Sequence, residues 1–209
     1  MTAIHSAIFQ YEMVDALLKR RKRMTRRIAW AMKRGCEHLP FAEQYDQTKL
    51  GKWGGVRSGD LLYVRENFAT DPCYDHIRPS DLKRHWPIYF ACGEKRFTPG
   101  FHRIRPSIHL PKWASRITLL VEAVKVEPLQ SISDLDAVRE GIVRTGNGWG
   151  VYGLLLETSA KSGPTEAFRK LWTHINGRDS WNADPAVVAL RFEVIEENVE
   201  TVLARITKP

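Results

Sequence analysis

The sequence predicts an α+β fold, and three observations carry that expectation. Two β-branched stretches, "SRITLLVEAVKVEPL" at 115–129 and "AVVALRFEVIE" at 186–196, read as strands. Segments with helical spacing and capping residues precede and separate them. A hydrophobic content of 43% over 209 residues is enough for a sizeable core and excludes a disordered basic tail.

Taken in order, "AIHSAIFQ" suits a short strand, and "YEMVDALLKR" sets Met13, Ala16, Leu17 and Arg20 at helical spacing. The basic run "KRRKRMTRR" at 19–27 follows that helix, where cations suit the negative end of its dipole. In "LGKWGGVRSGDLLYVRENF" a glycine-rich turn ends at Gly59-Asp60 and leads into a strand with Leu62, Val64 and Glu66 on one face. Residues 69–104 carry Pro72, Pro79, Pro87 and Pro99 among scattered aromatics, which predicts an irregular excursion packed on the sheet. In the first strong strand Ile117, Leu119, Val121 and Ala123 share a face. "SISDLDAVREGI" opens a helix with Ser133 as N-cap and Asp134 and Asp136 in its first turn. "GPTEAFRKLWTHING" starts another, with Thr165 as cap or Pro164 in the first turn, and ends it near Gly177. No internal repeat or low-complexity segment interrupts the chain.

The formal charge of +8 points to nucleic acid, nucleotides or another polyanion as partner. Cys36, Cys73 and Cys92 are odd in number and form no C-x-x-C pair, which argues against a disulfide framework and a four-ligand zinc site. Cys36 with His38 and Cys73 with His76 are the nearest thing to metal-ligand spacing, and no metal and no cofactor is expected from them. Neither a signal peptide nor a run of eighteen apolar residues is found, so the expectation is a cytoplasmic protein without a membrane partner.

"RKRMTRR" resembles the G-x-K-x-x-T-x-R signature of ASCH domains, small β-barrels related to the PUA fold, through Lys22, Thr25 and Arg27. "SGDLLYVRENF" at 58–68, "RPSIHLPKWASRI" at 105–117, the "DAVREGI" helix and "FRKLWTHINGRDSWNADPAVVALRFEV" at 168–194 resemble, in order, the longer ASCH proteins of phages and prophages. The resemblance implies one ASCH domain over 1–209: a PUA-like β-barrel of mostly antiparallel strands, short flanking helices and a loop insertion at about 69–104. Arg20 stands at the glycine position of the signature, where the helix end favours a left-handed residue.

Members of this family include amidohydrolases that cleave the acyl amide of N(4)-acetylcytidine, releasing cytidine and a carboxylate. By that resemblance Lys22, Thr25 and Glu140 form the catalytic set, without a metal ion. Amide hydrolysis needs a nucleophile, a base and an acid for the leaving nitrogen. Thr25 supplies the hydroxyl and Lys22 the base, its pKa lowered by burial and by the arginines around it, while Glu140 serves the exocyclic nitrogen. Arg27 or Arg26 holds the substrate or its phosphate. Glu66, expected to face inwards against Arg27 or Lys22, and Arg65 on the same strand join the substrate-binding set. So do Ser107, His109 and Trp113 from "RPSIHLPKW", a proline-braced loop suited to bracketing a base.

Other readings stand beside this one. Thr25 also suits a turn hydroxyl, Glu140 a salt-bridge partner, and Trp113 a plug at the end of the barrel. A module that only binds RNA or DNA needs just a basic cleft and stacking rings, which seven tryptophans supply. A ribonuclease would have to pair His109 with Lys22.

Overall fold

A computed structural model of the chain describes residues 2–93, 96–98, 100–146, 148–154 and 162–208. The chain begins with strand β1 (Ile4–Ile8), helix α1 (Tyr11–Leu18), β2 (Met24–Ile28), β3 (Trp30–Met32) and β4 (Tyr45–Leu50). It continues through β5 (Leu61–Arg65), β6 (Phe68–Ala69), β7 (Tyr89–Phe90) and the long β8 (Thr118–Pro128). The last part holds α2 (Asp134–Arg139), β9 (Ile142–Thr145), β10 (Gly148–Val151), α3 (Pro164–Asn176), β11 (Ala186–Ile195) and α4 (Val199–Ile206). These elements form two compact units: Met1–Lys19, Gly59–Leu120 and Glu193–Pro209 make the first, and Arg20–Ser58 with Val121–Phe192 the second.

In the first unit β1 runs parallel to β5, and β5 runs antiparallel to the start of β8, which makes a mixed sheet. Leu61, Leu62 and Val64 are buried, as the alternation around Leu62 and Val64 predicts. Val199 and Val202 of α4 bury against Leu61, with Ile4, Tyr63, Leu120 and Leu203 around them. That helix has its own N-cap, since the Asn198 side chain accepts a hydrogen bond from the Glu200 N–H. Asp60, in the turn after Gly59 (φ +87°), accepts from the Ala3 N–H and hydrogen-bonds His5 Nε2 at 3.1 Å, which fixes β1 beside β5.

The proline-rich stretch is largely irregular, as expected, but it has a core of its own. Phe68, Leu82, Ile88, Phe90, Leu110 and Ala114 form a buried cluster, and Ile77, Trp86 and Trp113 pack against it. Pro99 lies outside the described residues.

In the second unit β2 pairs antiparallel with β11, with Thr25 opposite Leu190 and Arg26 opposite Ala189, and β11 lies next to β8. Two hairpins accompany this sheet, β3 with β4 and β9 with β10. Ser133 caps α2 by accepting from the Asp136 N–H, as predicted. For α3 the cap position is Gly163 and Pro164 opens the first turn, while the Thr165 hydroxyl donates to Asp134. Gly177, at φ +94°, ends the helix where expected.

The α+β class therefore stands. Among the described residues no closed barrel forms in either unit, since β1 in the first and β2 in the second each pair with a single neighbouring strand and leave the ladder open. The basic run also differs from the expectation of a helix end or loop, since residues 24–28 become a strand paired to the apolar β11. Charge does not prevent this, because the buried Lys22 and Arg26 each meet a carboxylate.

Candidate functional site

The site is built around a chain reversal. Arg20 takes φ +58°, the left-handed conformation that suits a helix end, and turns the chain towards β2. The Arg23 N–H then donates to the Arg139 carbonyl at 2.8 Å, and the Arg23 carbonyl accepts from the Phe192 N–H at 3.0 Å. The backbone beside Lys22 is thus clamped between β11 and the C-terminal end of α2.

That clamp delivers Lys22 to Glu140. The lysine Nζ donates to the Glu140 carboxylate at 2.7 Å and to the Glu140 main-chain carbonyl at 2.8 Å. Lys22 is 2% exposed and Glu140 3%, so water screens this pair little. Glu140 is the C-cap of α2, and a cation on its carbonyl satisfies one of the acceptors a helix leaves open there.

Arg26, whose side chain is wholly buried, completes the cluster. Its guanidinium reaches Glu127 at 2.7 Å, Asp136 at 3.1 Å and Glu140 at 3.4 Å. Lys125 adds an ion pair to Glu127, and Arg139 one to Asp136. Three buried or half-buried carboxylates thus share two buried cations, the arrangement in which buried charge is tolerated. A cleft of about 160 Å³ opens beside Met24, Arg26, Glu127, Asp136 and Arg139.

Burial pulls the Lys22 ammonium below its usual range; Glu140 opposes that shift, and the charges of Arg27 and Arg26 add to it. Desolvation is thus the main cause, and the neighbouring arginines named in the sequence are the lesser one.

Thr25 and Arg27 follow the other parity of β2, opposite to Met24 and Arg26. Thr25 is buried, yet among the described residues its hydroxyl makes no side-chain hydrogen bond. The Arg27 guanidinium lies 5.5 Å from the centre of the Trp53 ring, which Lys52 also approaches at 4.7 Å. Of the three residues expected to form a catalytic set, hydrogen bonds join Lys22 and Glu140. Thr25 stands three residues from Lys22 with its oxygen unengaged.

Glu66, Arg65, Ser107, His109 and Trp113 lie in the first unit. The cation that holds Glu66 is Arg116, which bonds both carboxylate oxygens at 2.9 Å and so replaces the expected Arg27 or Lys22. Arg116 also lies over the Phe90 ring and donates to the Cys92 sulfur. Burial raises the Glu66 pKa and the bonds from Arg116 only partly offset it. Arg65 donates to the Ile108 carbonyl, the Ser107 N–H donates to Asn67, and His109 is exposed. Trp113 is half-buried against the Phe68 cluster, where it plugs a local core.

Sequence reasoning passed over Glu127. It falls on the parity of Ile117, Leu119, Val121 and Ala123, and a carboxylate on an apolar strand face signals a buried cation.

No family model, curated protein or solved structure matches this chain. Among the described residues, no helix is long and apolar enough to cross a membrane and no group of three or more His, Cys, Asp or Glu side chains is placed to hold a metal ion. Cys36, Cys73 and Cys92 are free thiols.

Proposed function

We propose that the chain is an ASCH protein of PUA-like type that hydrolyses the acyl amide of N(4)-acetylcytidine or a related N(4)-acylated cytosine. The assignment rests on the Lys-x-x-Thr-x-Arg unit and the order of the matching stretches, not on barrel closure. The observation that carries the activity is the buried Lys22–Glu140 pair, with an unengaged Thr25 hydroxyl three residues along the chain from Lys22.

Such a pair has two arrangements with the same proton count: ammonium with carboxylate, and amine with carboxylic acid. Burial lowers the Lys22 pKa and so favours the amine, the form that serves as base. With the proton on the Glu140 side, the pair presents a base and an acid together. Thr25 Oγ attacks the acyl carbon as its proton passes to Lys22, and the C–N bond breaks as Glu140 protonates the leaving nitrogen. Water then attacks the threonyl ester, Glu140 takes a proton from it, and Lys22 returns one to Thr25. The products are a carboxylic acid and cytidine, and base, nucleophile and acid all come from side chains, so no metal ion or cofactor enters the scheme. Arg27 positions the substrate, and Arg26 holds Glu140 in place. Three free thiols suit a reducing cytoplasm.

The test is release of cytidine from N(4)-acetylcytidine by the full chain, beside Thr25→Ser and Thr25→Ala. Wild-type turnover, reduced in the serine variant and lost in the alanine variant, is the expected outcome. Folded wild-type protein that releases nothing from N(4)-acetylcytidine or its N(4)-benzoyl analogue would overturn it. A second reading, a nucleic-acid-binding module, is favoured by the cations stacked on rings: Arg27 and Lys52 at Trp53, and Arg21 at Tyr152.

A further inference from the structure

A pocket of about 500 Å³ in the first unit is lined by Tyr63, Arg65, Arg78, Ser80, His109 and Lys112, with apolar walls from Pro79, Ile108, Leu110 and Pro111. Three permanent cations and a histidine line it, and no carboxylate does. Elsewhere in this unit Arg116 is matched by Glu66 and Arg84 by Glu200. Lys112 is also drawn towards Glu200 at 3.4 Å, but that carboxylate is already bonded to Arg84 at 2.8 Å and is part-exposed. Asp81, next to Ser80 in the chain, accepts a hydrogen bond from the Ser80 hydroxyl.

The pocket is also rigidly built. Buried Arg105 donates to the carbonyls of Tyr74, Asp75 and Ile77, which fixes the turn leading to Arg78. Arg105 and Phe68 exchange two main-chain hydrogen bonds. Arg65 holds the Ile108 carbonyl and Asn67 the Ser107 N–H, so the loop that carries His109 is anchored to the strand that carries Arg65. Arg78 and His109 are exposed and, among the described residues, make no ion pair and no side-chain hydrogen bond. The buried Arg65 Nε likewise has no acceptor. Donors thus converge on a space that no carboxylate lines, and a positive field of this kind selects an anion.

We propose that this pocket binds a phosphate group of a nucleotide or polynucleotide, with Arg78, His109 and Lys112 as direct contacts and Arg65 as the anchored donor. Phosphate rather than carboxylate fits the several converging donors, since it offers three or more acceptor oxygens and a charge beyond one. The inference does not depend on the amidohydrolase reading, because the ligand needs no acyl group and none of the four residues belongs to the Lys22, Thr25 and Glu140 set.

The full-length protein is titrated with three unacylated probes: inorganic phosphate, cytidine 5′-monophosphate, and a labelled single-stranded oligocytidine. Arg78→Glu is compared with Lys49→Glu, an exposed strand position in the second unit that changes net charge equally. Arg78→Glu is expected to weaken binding roughly tenfold and to lower the slope of log affinity against log salt by about one, while Lys49→Glu changes neither by a comparable amount. A selective loss with the monophosphate or inorganic phosphate identifies a free phosphate as the ligand, and one confined to the oligomer identifies a polynucleotide. Equal weakening by both substitutions, or no binding of any probe by wild type, would overturn the proposal. Because no probe carries an amide, neither result bears on hydrolysis.

Discussion

Replacing Glu140 with alanine isolates the buried pair at the heart of the proposed site. Arg26 keeps Glu127 and Asp136 in that variant, so the loss falls on Lys22, which retains its bond to the carbonyl of residue 140. Breaking one side of a buried ion pair costs about 3–5 kcal/mol when the remaining charge stays in place. The lysine has an escape, which is to release its proton, and the pH dependence follows from that. In the native protein Lys22 already titrates below 10.5, its ordinary value, so between the two values the unfolded chain binds more protons and stability rises with pH. Glu140 raises the folded value, and its removal drops that value further and extends the rising window to lower pH. Urea denaturation followed by tryptophan fluorescence, at pH near 6, 7.5 and 9, should therefore show a deficit that is largest in acid and narrows in base. A deficit that is constant across that range, or below about 1 kcal/mol throughout, would refute the claim that Lys22 depends on this carboxylate.

Two further outcomes are expected. Arg20→Gly should raise stability by about 1 kcal/mol, because φ +58° strains a residue with a Cβ and not glycine; a thermal melt that shifts downward would contradict this. Arg116→Met removes the bidentate partner of Glu66 and should cost about 3–5 kcal/mol near neutral pH. Burial then raises the Glu66 pKa further, the folded state binds a proton more readily than the unfolded one, and the deficit should shrink as pH falls towards 5. Denaturant midpoints that diverge on acidification would speak against that assignment.

Local pattern was sufficient wherever the determining forces act within a few residues. The alternation around Leu62 and Val64, the β-branched runs of β8 and β11, Ser133 as the cap of α2 and Gly177 as the stop of α3 are all legible in this way. Signals of the same kind marked the hairpin at 142–151, through "TGNG", and α4, through Val199, Val202 and Leu203, but they were short enough to pass unread. The end of the first helix likewise favoured a left-handed residue at position 20, and Arg20 takes that conformation despite its side chain.

The sequence by itself determined the α+β class, the main strands, and the presence of a Lys-x-x-Thr-x-Arg unit with a glutamate in a later helix. Only the tertiary structure decided that the basic run becomes a strand, that Lys22 and Arg26 share Glu140, and that Glu66 belongs to Arg116. The physical reason is range. A cap or an alternating face is decided by neighbours, whereas a buried charge takes whichever opposite charge the fold desolvates beside it. Here those partners are 118 residues away for Lys22, 101 for Arg26 with Glu127, and 50 for Glu66.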